Sequence, residues 1–90
     1  MRIDKFLKLA RIIKRRTLAQ EMIEIGAVRV NGKVVKPSKE IKEQDVIEVA
    51  FPTRVLKLKV TPFEEKDLKR GARPFEILEE QKVSPDEKPW

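Results

Sequence analysis

Cysteine, histidine and tyrosine are absent from these 90 residues. Without cysteine there is no disulfide, no thiolate nucleophile and no sulfur ligand for zinc. Without histidine the commonest acid–base catalyst and the commonest metal ligand are missing. No purely apolar run exceeds about three residues, so no segment reads as a membrane span or a signal-peptide core. These absences predict a soluble, cytoplasmic protein that does not span or bind membranes. A chain of this length buries only a modest core and leaves no room for a large enclosed pocket. The acidic run Glu64, Glu65 and Asp67 lies beside Lys66 and Lys69 and offers no converging set of oxygens. Sequence alone thus predicts no catalytic residues, no metal and no cofactor, and argues against an enzyme.

What the chain does have is positive charge in one place. Arg2, Lys5, Lys8, Arg11, Lys14, Arg15 and Arg16 stand against Asp4 alone, so the first twenty residues carry the entire net charge of +6. Residues 21–90 hold fourteen basic and fourteen acidic side chains, which cancel. A solvated helix face normally interleaves Glu and Lys at i, i+4. Here the repulsion is unrelieved, at a few tenths of a kcal/mol per like pair. A polyanion would neutralise it. Arginine supplies a planar fork for phosphate oxygens, and lysine a point charge. The patch is nearly free of aromatics, since Phe6 falls on an apolar stripe. Structured RNA recognised by shape and backbone fits better than bases stacked on rings. Neutralising about five phosphates gives a slope of log K against log salt of roughly −3.5 to −4.5.

Periodicity places these residues. Ile3, Phe6, Leu7 and Ala10 follow i, i+3, i+4, i+7, which predicts a helix from about Arg2 to Ala10. Asp4 in its first turn suits the positive end of the dipole. Leu18, Ala19, Met22 and Ile23, with Ile25 near the end, mark a second helix stopped by Gly26. It begins either at a Thr17–Gln20 capping box or near Arg15. Both choices put Arg15 and Arg16 at the helix N-terminus, where dipole and guanidinium groups favour a phosphate.

Alternation then takes over. Ala27–Val30 and Lys33–Val35 flank Asn31-Gly32, the preferred pair for a type I′ hairpin. Turn chemistry alone accounts for that pair, although with Lys33 and Lys36 it could also touch a second stretch of RNA backbone. Asp45 reads as a turn residue before the strand Val46–Ala50. Val55–Val60 forms a fourth strand. A short amphipathic helix is predicted at about 74–81, docking Phe75 and Leu78. The segment from Ser84 to the lone Trp90 reads as a flexible tail. The predicted core is Ile3, Phe6, Leu7, Leu18, Met22, Ile23, Val28, Val30, Val35, Val46, Ile47 and Val49. The expected architecture is α+β, two N-terminal helices on a small, mainly antiparallel sheet. The expected division is a domain at 1–61 and a C-terminal extension at 62–90.

The series Arg2-Ile3-Asp4-Lys5-Phe6-Leu7, Arg11, Arg15-Arg16, Gly26-Ala27-Val28-Arg29-Val30-Asn31-Gly32, Pro37, Asp45 and Ile47 resembles the S-four RNA-binding module. The likeness covers roughly residues 1–50. Lys14-Arg15-Arg16-Thr17-Leu18-Ala19 is similar to the stand-alone S-four proteins of bacterial ribosome-associated quality control (the RqcP family), which are related to the heat-shock S-four proteins. The resemblance implies an αL-type module whose helices face structured RNA. Arg2, Lys5, Lys8, Arg11, Arg15, Arg16 and Thr17 become expected contacts, with Lys14 beside them and Gln20 as a polar neighbour. It further implies binding to stalled large ribosomal subunits carrying peptidyl-tRNA, through large-subunit rRNA and tRNA. The same resemblance implies support of template-free alanine tailing by an RqcH-type partner, from a protein monomeric when free. Recycling of dissociated large subunits by a heat-shock-type factor, or ribosome assembly, are the alternatives. Many relatives carry Ser where Arg15 stands, Ser at Ala10 and Gly at Gln44.

Overall fold

The computed structural model describes residues 1–84 and 86. Of the expected tail, residues 85 and 87–90, Trp90 included, lie outside the described residues. Helix α1 spans Ile3–Leu9 and α2 spans Arg16–Glu24. Strands β1 (Val28–Val30), β2 (Lys33–Val34), β3 (Val46–Phe51) and β4 (Arg54–Val60) follow, then α3 (Glu65–Lys69) and β5 (Phe75–Lys82). The strands form one antiparallel sheet in the order β2-β1-β3-β4-β5.

The stripe on α1 is buried as its spacing requires: Ile3, Phe6, Leu7 and Ala10 are each at most 1% exposed. Ala19, Met22 and Ile23 bury the matching face of α2. Both helices pack on the sheet face formed by Val28, Val30, Ile47, Val49, Leu56, Leu58 and Val60. Register aligns these apolar residues across the strands, Val28 opposite Val49 and Ile47 opposite Leu58.

Local chemistry fixes the joints. Gly26 takes φ +81 after α2, while the Gly26 and Ala27 amides donate to the Ile23 and Met22 carbonyls. That is a Schellman stop, and only glycine adopts it without strain. Asn31 and Gly32 both have positive φ, as a type I′ turn demands. The Asn31 carboxamide also donates to Asp45 at 3.1 Å and accepts from the Val46 amide at 3.0 Å. Asp45 is 6% exposed and accepts from the Lys42 amide at 3.0 Å. These two polar residues therefore lock the first hairpin to the start of β3.

Two expectations are corrected, and the two ends of α2 are fixed. The segment predicted as a helix at about 74–81 is strand β5. Its Phe75 and Leu78 suit a helix by spacing, but the free edge of β4 offers pairing along its whole length. Phe75 packs against the core, whereas Leu78 is 45% exposed because a bulge at Lys57/Leu58 passes it over. Leu18 is 42% exposed, since α2 turns the neighbouring Ala19 inward and brings the helices close. Ile25, at 79% exposed, sits beyond the last turn. Of the two starts expected for α2, the structure takes the one near Arg15: the helix begins at Arg16 with Arg15 as N-cap, and Thr17 does not cap it. Gln20 turns elsewhere. The core also takes in Ile13, Ile41 and Leu68, which lie outside the long periodic runs.

Candidate nucleic-acid interface

Asp4, the single acid of the basic stretch, is completely buried. Burial pushes its carboxyl up. Gln20, the Lys5 amide and Arg16 act the other way, by hydrogen bonds and by the Arg16 charge, and hold it below its ordinary value of 3.8. The Gln20 amide donates to Oδ2 at 2.8 Å, and the Lys5 backbone amide to Oδ1 at 2.7 Å. Arg2 reaches Oδ2 at 3.1 Å, and Arg16 Nε lies 3.3 Å from it. One carboxylate thus fastens the N-cap of α1 to the first turn of α2. The two arginine side chains remain 45% and 42% exposed, so each is held by Asp4 while still open to solvent. A positioned guanidinium loses less rotamer freedom when it meets a phosphate.

The other cations divide into two sets. Lys5 pairs with Glu65 of α3, which holds that carboxyl below its ordinary range by hydrogen bond and charge. Lys8, Lys14 and Arg15 are exposed and make no ion pair among the described residues. Arg11 ends α1 in the left-handed region at φ +61 and is exposed. Thr17 is exposed beside Arg16 on the first turn of α2. No side chain caps that helix, so its first amides stay available. The backbone from Lys36 to Lys39 lies against the start of α1, its carbonyls accepting from Ile3 and Asp4. Lys36 is therefore near the helix pair, whereas Lys33 stands on the edge strand β2. Asn31 is committed to Asp45 and Val46 inside the fold. The geometry draws Arg2, Arg16 and Gln20 together most tightly. Sequence reasoning missed Asp4 as their anchor; its signal was a lone acid bordering the stripe of Ile3 and Leu7.

This arrangement, two helices with a pinned basic face on an antiparallel sheet, is that of the S4 domain, whose family model matches residues 1–47. Relatives extend the match over nearly the whole chain. The RQC P-site tRNA stabilizing factor of Streptococcus pneumoniae is 40% identical, over 92% of this chain and 96% of that one. Its namesake from Halalkalibacterium halodurans is 40% identical over 97% and 100%. The trimeric structure of Vibrio cholerae heat shock protein 15 superposes with a TM-score of 0.74 at 26% identity, covering 86% of this chain and 80% of that one. The chain belongs to the S4 domain family of RNA-binding proteins and, within it, to the RQC P-site tRNA stabilizing factors. No helix among the described residues is long and apolar enough to cross a membrane.

Proposed function

We propose that this protein is a non-enzymatic, cytoplasmic RNA-binding factor of ribosome-associated quality control. It binds stalled large ribosomal subunits that still carry peptidyl-tRNA, touching rRNA and tRNA. There it supports template-free alanine tailing by an RqcH-type partner. The observation that carries this function is the single-signed helix face on which Asp4 presents Arg2 and Arg16 together. Relatives named for stabilising P-site tRNA, similar over almost the full chain, support the ribosomal setting.

The contact residues are Arg2, Lys5, Lys8, Arg11, Lys14, Arg15, Arg16, Thr17 and Gln20. Lys33 and Lys36 form an outer set on and beside the first hairpin, and Asn31 shapes the turn that precedes them. Residues 1–61 carry RNA recognition, with 62–90 as an extension. Free protein is a monomer.

Co-sedimentation with large subunits carrying peptidyl-tRNA tests the function. Arg2→Glu/Arg16→Glu should abolish it, and Arg2→Gln/Arg16→Gln, which keeps donors toward Asp4, should weaken it at least about tenfold. Unchanged binding by both would remove the mechanism. A second function, recycling of dissociated large subunits, is favoured by the fold shared with heat shock protein 15. Loss of activity on deleting the RqcH-type partner supports tailing; persistence supports recycling.

A further inference from the structure

The segment after β4 brings a second set of cations to the edge of the helix face. Lys66, Lys69, Arg70 and Arg73 fall on α3 and the turn that follows, with Asp67 as the acid among them. Lys66 pairs with Glu64 at 3.2 Å. Arg70 and Arg73 are exposed and make no ion pair or side-chain hydrogen bond among the described residues. They line an open groove of about 380 Å³ together with Pro62, Phe63, Asp67 and Pro74.

Three contacts fix this groove against α1. The Phe63 ring packs on the fully buried Phe6, centroids 5.4 Å apart and tilted by 56°. Lys5 pairs with Glu65. The Arg11 guanidinium lies over Gly71, 3.2 Å from where a Cβ would stand. Gly71 has φ +98, so a side chain there would meet both strain and Arg11. The turn and the end of α1 are therefore one surface, and Arg11 is the bridge between its two cation sets.

We propose that this groove is a second RNA subsite, taking one unpaired nucleotide adjacent to the duplex held by the helix face. Arg70 and Arg73 take its phosphate, and the half-buried Phe63 with the exposed Pro62 takes its base. A ring held in place by a core phenylalanine is a stacking platform that costs little to order. Asp67 repels a bare phosphate but accepts from a ribose hydroxyl or an exocyclic amine, so the lining suits a nucleotide better than an inorganic anion. An acidic peptide would satisfy the arginines, yet it would face Asp67 and leave the ring without a flat partner. The subsite rests on the RNA-binding function proposed above.

Two probes separate the subsite from the rest of the face: an RNA hairpin with a blunt stem, and the same hairpin with three unpaired 3′ nucleotides. The full chain should bind the second at least about fivefold more tightly, the lower end for stacking one base. Arg70→Ala/Arg73→Ala should abolish that preference and make the salt slope shallower by about 0.7 to 0.9, the share of one phosphate. Phe63→Leu should reduce the preference while leaving the slope unchanged. If the double variant keeps both preference and slope while Arg2→Gln/Arg16→Gln loses affinity for both hairpins, RNA binding stands and the subsite falls. If the unaltered chain binds neither hairpin, both fall. If the double variant keeps full RNA binding but loses affinity for a glutamate-rich peptide, the groove belongs to a protein partner and the subsite is overturned.

Discussion

The helix face and the open face of the sheet use charge in opposite ways. On the sheet, register sets unlike charges side by side: Arg29 opposite Glu48, Glu48 opposite Lys57, and Lys57 opposite Glu79. On the same face Lys59 lies 4.0 Å from Glu76. Each such exposed pair contributes at most about 1 kcal/mol, but the columns leave little net field. Along the first twenty residues one sign prevails, and the only acid there is buried beneath the arginines it orients. Forty per cent of the residues are charged, and that fraction distinguishes neither face. The order of signs along the chain does, because strand register pairs neighbours whereas the stretch from Arg2 to Arg16 collects cations.

Breaking each face in turn should expose the difference. Lys14→Glu/Arg15→Glu, which touches no ion pair, should lower affinity for structured RNA by about a hundredfold at low salt. Lys57→Gln/Lys59→Gln on the sheet should change it less than about threefold. Filter binding of both variants side by side checks this; a loss of about tenfold for the sheet variant, half the logarithm for half the change in charge, would mean that net charge alone drives binding.

Asp4 sharpens the point, because its removal makes the chain more positive. Asp4→Ala should cost about 3 kcal/mol, lowering the melting temperature by roughly 12–24 °C. The milder Asp4→Asn should weaken RNA binding despite the added charge, since Arg2 and Arg16 lose their anchor. Stronger binding by this variant would show that positioning contributes nothing.

The same carboxylate predicts an acid response. Its folded-state pKa is depressed below 3.8, so its contribution to stability is present above that value and is lost as pH falls through the folded-state pKa. Chemical denaturation between pH 6 and 2.5 should show a steeper loss below about pH 4 for the unaltered chain than for Asp4→Asn.

The smallest effects separate stability from binding at single joints. Arg15 is an N-cap with no side-chain hydrogen bond, so Arg15→Ser should add about 1 kcal/mol of stability while weakening RNA affinity. Gln44 occupies φ +75, and Gln44→Gly should add about 0.5–1 kcal/mol with no change in RNA binding. Thermal melts with parallel binding assays read both.

Much of this was legible in the chain. Stripe spacing gave α1, Gly26 gave the end of α2, and Asn31-Gly32 gave the hairpin, because each follows from local backbone chemistry. The basic face was legible from the order of signs. Strand β5 was not, because Phe75, Leu78 and the glutamates suit a helix locally and only the free edge of β4 decides otherwise. Leu18 was misjudged because Leu18–Met22 and Ala19–Met22–Ile23 are both helical spacings; packing chose the smaller residue. Asp4 read as a dipole partner, since its burial depends on α2 folding over it. The docking of Phe63 and Glu65 on α1 depends on residues nearly sixty positions apart, which no local pattern records.

The central claim is that the helix pair grips folded RNA through its phosphates. Affinity for large-subunit rRNA measured from 50 to 400 mM potassium chloride tests it most directly. The account predicts a log–log slope of about −3.5 to −4.5 for the helix face, made shallower by Arg2→Gln/Arg16→Gln. A slope near zero, or one indifferent to those two arginines, would contradict it.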